Sequence, residues 1–286
     1  MAAITDLSAL INRMTGGNSG TPETVWWFKV ARMSGSTPVG VPIAGRPYSI
    51  WMYEGSPSAG VAPTTWANPD NTTAGGLLQT DPGGARTKWL IQAFAAGLTP
   101  GTLLLVDRLG HNGNLSGTVT TAQTFTGTIT RYTSAADAVG NIMWYEIWGN
   151  TTTILGATGT TITVSYTNQA GTASRTSTAV AIGGTGFREG NQIRFLPLQS
   201  GDTGVLSVQS ATLAASTGTA GAFGIVIAKP LAYMGLDQAG APGWREFATG
   251  LPGLPEIKTD ACLSFVWIPQ TTTNPELFGG VSMVEA

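Results

Sequence analysis

The clearest hydrophobic pattern in the chain is a strict alternation of apolar and polar residues in its central part. In residues 160–167, Ile, Val and Tyr alternate with Thr and Ser, which is the period-two pattern of a strand with one buried face. A turn at 168–171 follows, and residues 172–182 repeat the alternation. These segments are therefore predicted to form a hairpin, and residues 205–213 to form another strand of the same kind.

Further short apolar segments are separated by glycine-rich turns. They are residues 103–106, 141–148, 193–198 and 223–228. Short strands at such spacing are typical of sandwich and barrel folds. The sequence therefore predicts a mainly β protein, with an antiparallel β-sandwich of jelly-roll or immunoglobulin-like type over residues 101–232.

The N-terminal segment, residues 1–22, carries the one convincing helical pattern. Apolar residues recur there at spacings of three and four, which places them on one face of a helix: Ile4, Leu7, Leu10, Ile11 and Met14. Glycines at 16 and 17 end the helix, and a flexible linker follows. Two interpretations remain open, a helix that docks on a neighbouring subunit and a frayed end without a role.

Residues 23–100 are predicted to be extended and rich in loops. Strand-like segments at 25–30, 48–53 and 88–94 lie among many prolines, which exclude long helices; the last of these is compatible with a short helix instead. Residues 55–84 show no periodicity, and that length is unusual for a loop in a compact domain. This stretch is predicted to be an arm that becomes ordered on contact with partners.

Residues 233–286 are again rich in Pro and Gly and form a predicted C-terminal extension. Residues 262–268 are its one strand candidate. That strand either completes the sandwich or reaches outward. No convincing internal repeat is present.

Composition changes this picture by showing how little charge the chain carries. Charged residues make up 10% of its 286 residues, and the net charge is −2, where about 25% charged is typical. This balance argues against a nucleic-acid partner, and no segment is apolar enough for a membrane helix. The N-terminus does not resemble a signal peptide, so synthesis in the host cytoplasm is expected. A neutral surface suits contact with other subunits, because few charges must be desolvated.

Candidate chemistry is sparse. With one Cys (Cys262) and one His (His111), the chain lacks the residues for a disulfide or a Cys/His zinc site. Asp107, His111 and Ser116 lie close in sequence, but their order matches no hydrolase motif. Cys262 lies in an apolar segment and is expected to be a small buried residue. The chain is therefore predicted to be no enzyme and to need no cofactor or metal, and a β-sandwich hydrolase is the least favoured alternative.

The nine tryptophans allow two interpretations. Carboxylates at 54, 70, 81 and 146 accompany tryptophans at 51, 66, 89 and 144, a combination found in sugar-binding clefts. The simpler interpretation is that tryptophans anchor the core and interfaces. The candidate interface residues are Leu7, Leu10, Ile11, Trp26, Trp27, Trp51 and Trp66.

Four stretches resemble a group of tailed-bacteriophage virion structural proteins. They are residues 80–90, 101–117, 164–172 and 195–204, within a region of similarity that covers about 75–235. The resemblance implies a particle component located in the virion, with the major capsid protein or other virion subunits as partners and no catalytic residue. A head decoration (cement) protein is favoured, and it is expected to form a symmetric homo-oligomer, with a trimer as the expected number. The alternatives are a tail or fibre component and a receptor- or carbohydrate-binding component.

Overall fold

The computed structural model describes residues 7–17, 21–33, 37–38, 41–148, 154–247 and 253–285. Helix α1 (Leu7–Met14) is followed by antiparallel strands in three sheets and a small ribbon of β2 (Arg32–Met33) and β3 (Thr37–Pro38). The predicted helix residue Ile4 lies outside the described residues. Across the described segments, no helix is long and apolar enough to cross a membrane.

The outer sheet combines strands from both ends of the chain. Its path is β16, β6, β19, β1 and β5, and β17 also pairs with β6. The bounds are β1 (Thr21–Val30), β5 (Glu54–Ser56), β6 (Lys88–Gly97), β16 (Gly243–Glu246), β17 (Glu256–Ile257) and β19 (Glu276–Glu285).

The central sheet has the order β13, β9, β15, β7, β18 and β4. Its bounds are β4 (Tyr48–Ser49), β7 (Gly101–His111), β9 (Ile142–Ile147), β13 (Ile193–Phe195), β15 (Phe223–Leu236) and β18 (Leu263–Pro269). The far sheet has the path β11, β10, β14 and β8, with β12 beside β10. Its bounds are β8 (Gln123–Thr128), β10 (Thr160–Asn168), β11 (Arg175–Thr176), β12 (Val180–Ile182) and β14 (Val205–Leu213).

Two hydrophobic cores lie against the central sheet. The first joins it to the outer sheet, where Trp27 packs on Phe265 with ring centroids 4.4 Å apart. The second joins it to the far sheet, whose alternating Ile162, Val164 and Tyr166 all point inward. The long strands β7 and β15 contribute to both cores, so one sheet holds the two sandwiched layers together.

A third cluster contains Trp51, Trp144, Trp148 and Cys262. Neighbours in β9 separate by alternation, with Met143 and Tyr145 in the second core and Trp144 in this cluster. Residues 57–87 contain no helix or extended strand, yet Leu77 pairs with Leu263 and Ala67 with His111 in isolated bridges. The stretch predicted to be an arm therefore packs on its own chain.

The predicted mainly β, antiparallel sandwich class is confirmed, and so is the hairpin, since β10 pairs antiparallel with β11 and β12. The segment boundaries at 100/101 and 232/233 do not separate structural layers, because β4 and β18 belong to the same sheet as β7 and β15. Of the two interpretations of residues 262–268, completion of the sandwich is correct.

Candidate functional site

The outer sheet has one face in the core and another toward solvent. Along β1, Trp27 is 3% exposed, whereas Trp26 is 69% and Phe28 is 51% exposed. Successive side chains of a strand point to opposite faces, so a single alternation places Trp27 in the first core and its two neighbours outside.

The strand register brings aromatic residues of four strands into one row on that outer face. Trp26 pairs with Gly280, Gly280 with Phe94, and Phe94 with Trp244. Gly280 makes this row possible, because a Cβ there would lie 2.4 Å from Cζ of Phe94. The rings of Trp26 and Phe94 meet edge to face across the glycine, 5.2 Å apart.

A second row lies beside the first. Phe278 pairs with both Phe28 and Ala96, and Phe28 pairs with Ser56. We name the set formed by the two rows the aromatic face: Trp26, Phe28, Phe94, Trp244 and Phe278. Neither row contains a charged residue, and four of the five aromatic side chains are at least half exposed.

Helix α1 covers the opposite end of the same outer face. Its Leu10 is buried against Ile91 and Val284, whose sequence neighbours Leu90 and Met283 point into the first core. The helix leaves three apolar side chains exposed at helical spacing: Leu7, Ile11 and Met14. The outer face is thus apolar at both ends, and the described chain covers it at one end only.

The candidate interface residues divide into two groups. Leu7, Ile11 and Trp26 are exposed, and Trp66 is partly buried. Leu10, Trp27 and Trp51 are buried within the chain, so these three belong to its own interior. Their apolar character, on which their selection rested, suits a core as well as an interface.

Sequence reasoning missed Phe28, Phe94, Trp244 and Phe278. Trp26 and Phe28 stand two residues apart in a predicted strand, so their shared face was visible in the sequence. Phe278 lies in β19, which was not predicted because Gly279 and Gly280 interrupt its apolar pattern. The joining of all four strands depends on pairings between residues more than 100 positions apart.

Of the polar residues considered for catalysis, Asp107 and His111 are buried and hydrogen-bonded to arginines, whereas Ser116 is partly exposed. Arg131 holds Asp107 through two hydrogen bonds of 3.0 and 2.8 Å. Arg108 donates from Nε to Nδ1 of His111 at 2.8 Å and pairs with Glu146 at 2.8 Å. Burial, followed by the charge of Arg108, holds the pKa of His111 well below its ordinary value. Asp107 and His111 are thus engaged by different arginines and do not form a relay.

The alternative of a sugar cleft around the carboxylate at 146 does not hold, because Trp51, Trp144 and Glu146 are all buried. Cys262 is a buried free thiol, as expected from its apolar segment. Within the described ranges, no group of three or more His, Cys, Asp or Glu side chains is placed to hold a metal ion.

Only distant similarities link this chain to known proteins. No protein-family model and no curated protein matches the chain. Similar solved structures come from infectious bursal disease virus. Among them, the VP2 subviral particle of infectious bursal disease virus is 10% identical, with 93% of this chain and 80% of that one covered, at a TM-score of 0.20. T=1 particles derived from infectious bursal virus are 9% identical, with 93% and 78% covered, also at 0.20. At this TM-score the likeness carries no argument about fold or function.

Proposed function

We propose that this chain is a non-enzymatic structural subunit of a virus particle and that the aromatic face is its contact surface for other subunits. The observation that carries the proposal is the exposure of two Trp and two Phe side chains in two neighbouring uncharged rows of one sheet face. Covering such a patch with another subunit is favourable by roughly 25 cal/mol for each Å² of apolar area removed from water. Patches of this kind mark interaction sites.

The distribution of charge fits a subunit contact. Glu246 and Glu54 lie in the flanking rows, beside Gln92 and Val30 respectively, while the two aromatic rows are neutral. An apolar centre with a polar margin is the usual anatomy of a protein interface, and aromatic residues are enriched at its centre. Asp107 and His111, two of the residues considered for catalysis, are each hydrogen-bonded to an arginine inside the fold.

Within the particle, we propose the role of a head decoration (cement) protein that contacts the major capsid protein and assembles as a symmetric homo-oligomer, with a trimer expected. The resemblance of residues 75–235 to tailed-bacteriophage virion proteins supports this role, and so does an exposed aromatic face on an outer sheet. A cofactor, a nucleic acid and a membrane have no part in the proposal. A tail or fibre component is the alternative.

Quantitative mass spectrometry of purified particles tests the proposal. A decoration protein is expected in a copy number comparable to that of the major capsid protein, whereas a tail or fibre component is present in far fewer copies. Absence of the chain from purified particles would overturn the structural role itself.

The contact surface is tested in the same particles with a photo-crosslinking amino acid. Placed at Phe278 on the aromatic face, it is expected to form crosslinks to another virion subunit. The matched control is Tyr233, which is 62% exposed but lies on the central sheet. Equal crosslinking from both positions would contradict the assignment of the face.

A further inference from the structure

A second feature lies outside the aromatic face, where the segment 61–67 crosses strands β7 and β8. A cavity of about 520 Å³ opens there, lined by Trp66 and Phe125 together with Thr, Asn and Leu side chains and Gly113. A neighbouring cavity of about 470 Å³ is lined by Trp51, Ala62, Pro63 and His111 among others, and both include Thr64 and Thr65. Ligand sites commonly measure about 300–1,000 Å³.

The indole of Trp66 is held rigidly at this cavity. Its Nε1 donates to Oδ1 of Asn68 at 2.9 Å and to the carbonyl of Thr128 at 3.1 Å. The ring fills space left by two glycines, since a Cβ would lie 2.2 Å from the ring at Gly110 and 2.6 Å at Gly127. The two glycines therefore leave space for the indole in one orientation, and its Nε1 already has hydrogen-bond acceptors.

Phe125 presents a second ring nearly parallel to that indole. The two centroids lie 6.4 Å apart, and the ring planes differ by 12°. Both side chains are partly buried, so their positions are fixed by the second core while part of each remains accessible. Parallel aromatic surfaces suit a ligand that offers flat apolar patches.

Apart from the imidazole of His111 in the second cavity, the polar side chains that line the two cavities carry hydroxyl and amide groups. Thr64, Thr65, Thr124 and Thr126 are exposed on the first cavity, and no Asp, Glu, Lys or Arg lines either cavity. Hydroxyl and amide groups donate and accept hydrogen bonds without imposing a charge. A charged ligand would lose its hydration here without gaining an ionic partner.

We propose that the paired cavities bind a neutral oligosaccharide, with a sugar ring placed against Trp66 and Phe125. The C–H face of a pyranose is weakly positive and complements the negative face of an aromatic ring, while its hydroxyls match the threonine and asparagine groups. The shared position of Thr64 and Thr65 allows two adjoining sugar units. This inference does not depend on the proposed virion role.

Saturation-transfer NMR and titration calorimetry on the full chain test the proposal. The neutral probes are maltose, cellobiose, lactose and N,N′-diacetylchitobiose, and the charged comparator is 3′-sialyllactose. At least one neutral disaccharide is expected to bind. Absence of binding by all four, or binding of the charged comparator alone, would overturn the proposal.

Two variants locate the binding. Phe125→Ala removes one ring and is expected to weaken binding about tenfold, the loss that corresponds to one aromatic contact. Thr65→Glu adds a charge at the junction of the cavities and is expected to abolish binding. Thr161→Glu is the matched control at an exposed threonine outside both cavities. Wild-type affinity in Thr65→Glu, a surface substitution that leaves the core intact, would overturn the site.

Discussion

At the scale of single residues, buried polar side chains of this protein join separate parts of the chain through ion pairs, hydrogen bonds and contacts with aromatic rings. Arg108 lies over Trp51 and Trp148, 4.7 and 5.2 Å from their ring centroids, and binds Glu146 and His111. A buried guanidinium without such partners would cost several kcal/mol. These residues are far apart in the sequence, and their contacts with Arg108 hold loop 50–53 and strand β9 against strand β7.

His111 predicts a pH dependence of stability. Burial and the charge of Arg108 hold its pKa well below 6.5, so below about pH 6.5 the unfolded chain takes up a proton that the folded chain does not. The free energy of unfolding is therefore expected to fall as the pH decreases from 7 to 5.5, by up to about 1.4 kcal/mol per pH unit. Urea denaturation at several pH values measures it.

The control for that experiment is His111→Gln, whose amide oxygen can accept the hydrogen bond from Arg108. Because His111 is the single histidine of the chain, this variant is expected to show a much flatter profile over the same range. Identical profiles in the wild type and the variant would contradict the assignment.

Asp202 predicts a second effect, at lower pH. Its carboxylate accepts hydrogen bonds from Arg175, Tyr166 and Asn168 at 2.9, 2.5 and 2.7 Å. The bond from Arg175 is the largest cause that lowers its pKa from 3.8 to about 2. Because the folded pKa is depressed, this stabilisation is present above about pH 4 and is lost as the pH falls toward 2.

Thermal unfolding between pH 5 and pH 2 measures the effect of Asp202. The Asp202→Asn variant is expected to unfold at a lower temperature than the wild type at pH 5, and the difference is expected to shrink toward pH 2. A difference that stays constant over this range would show that the carboxylate charge is not responsible.

At the scale of elements, strands with regular alternation were predicted well and interrupted strands were not. The predicted strand at 205–213 coincides with β14, and the hairpin of β10 is present. In contrast, the strand predicted at 48–53 ends at Ser49, because the chain turns at residues 51 and 52. Trp51 and Met52 pack in the third cluster, whereas Ile50 and Tyr53 pack in the first core. Strand β19 escaped prediction because two adjacent glycines, Gly279 and Gly280, break its pattern. These glycines leave space for Phe94 and its backbone in the neighbouring strand β6, and that pairing is not evident from the local sequence.

The candidate site shows the same limit. Trp26 was predicted as a contact residue and is exposed, but the aromatic face also needs Phe94, Trp244 and Phe278. These residues come together through the pairing of chain ends, which local patterns do not specify. Trp27 and Trp51 show the converse, since a large apolar side chain has the same appearance in a sequence whether it is buried by its own chain or by a partner.

The role of Gly280 as a spacer under Phe94 can be tested by substitution. In Gly280→Ala the new Cβ would meet Cζ of Phe94 at 2.4 Å. Because Phe94 is partly exposed and its ring can shift, the variant is expected to be destabilised by about 1 kcal/mol. Combining it with Phe94→Ala removes the clash. The double variant is therefore expected to lose less stability than the sum of the two single variants, as measured by urea denaturation. Additive losses would contradict this account of the glycine.

At the scale of the whole molecule, strands from both ends of the sequence build one sheet. Strand β19 pairs with β1 along its whole length and with β6, and their inner face packs on the central sheet. The segments before residue 101 and after residue 232 are thus part of the packed structure. The consequence for function is an outer sheet that is rigid because its inner face is anchored, and therefore suited to carry a fixed contact surface.

If the aromatic face is a contact surface between copies of this chain, its removal should change the assembly and leave the fold intact. Sedimentation equilibrium of the wild type is expected to give an oligomer, with three chains as the expected number. The double variant Trp26→Ser/Phe278→Ser is expected to sediment as a monomer. Both side chains are at least half exposed, so its stability should change by only about 0.5 kcal/mol per site.

Tyr233→Ser, a comparably exposed aromatic position on the central sheet, is the control and is expected to keep the wild-type mass. A wild type that is monomeric at high concentration would restrict the face to contacts with other proteins. An unchanged oligomer in the double variant would show that the copies associate elsewhere.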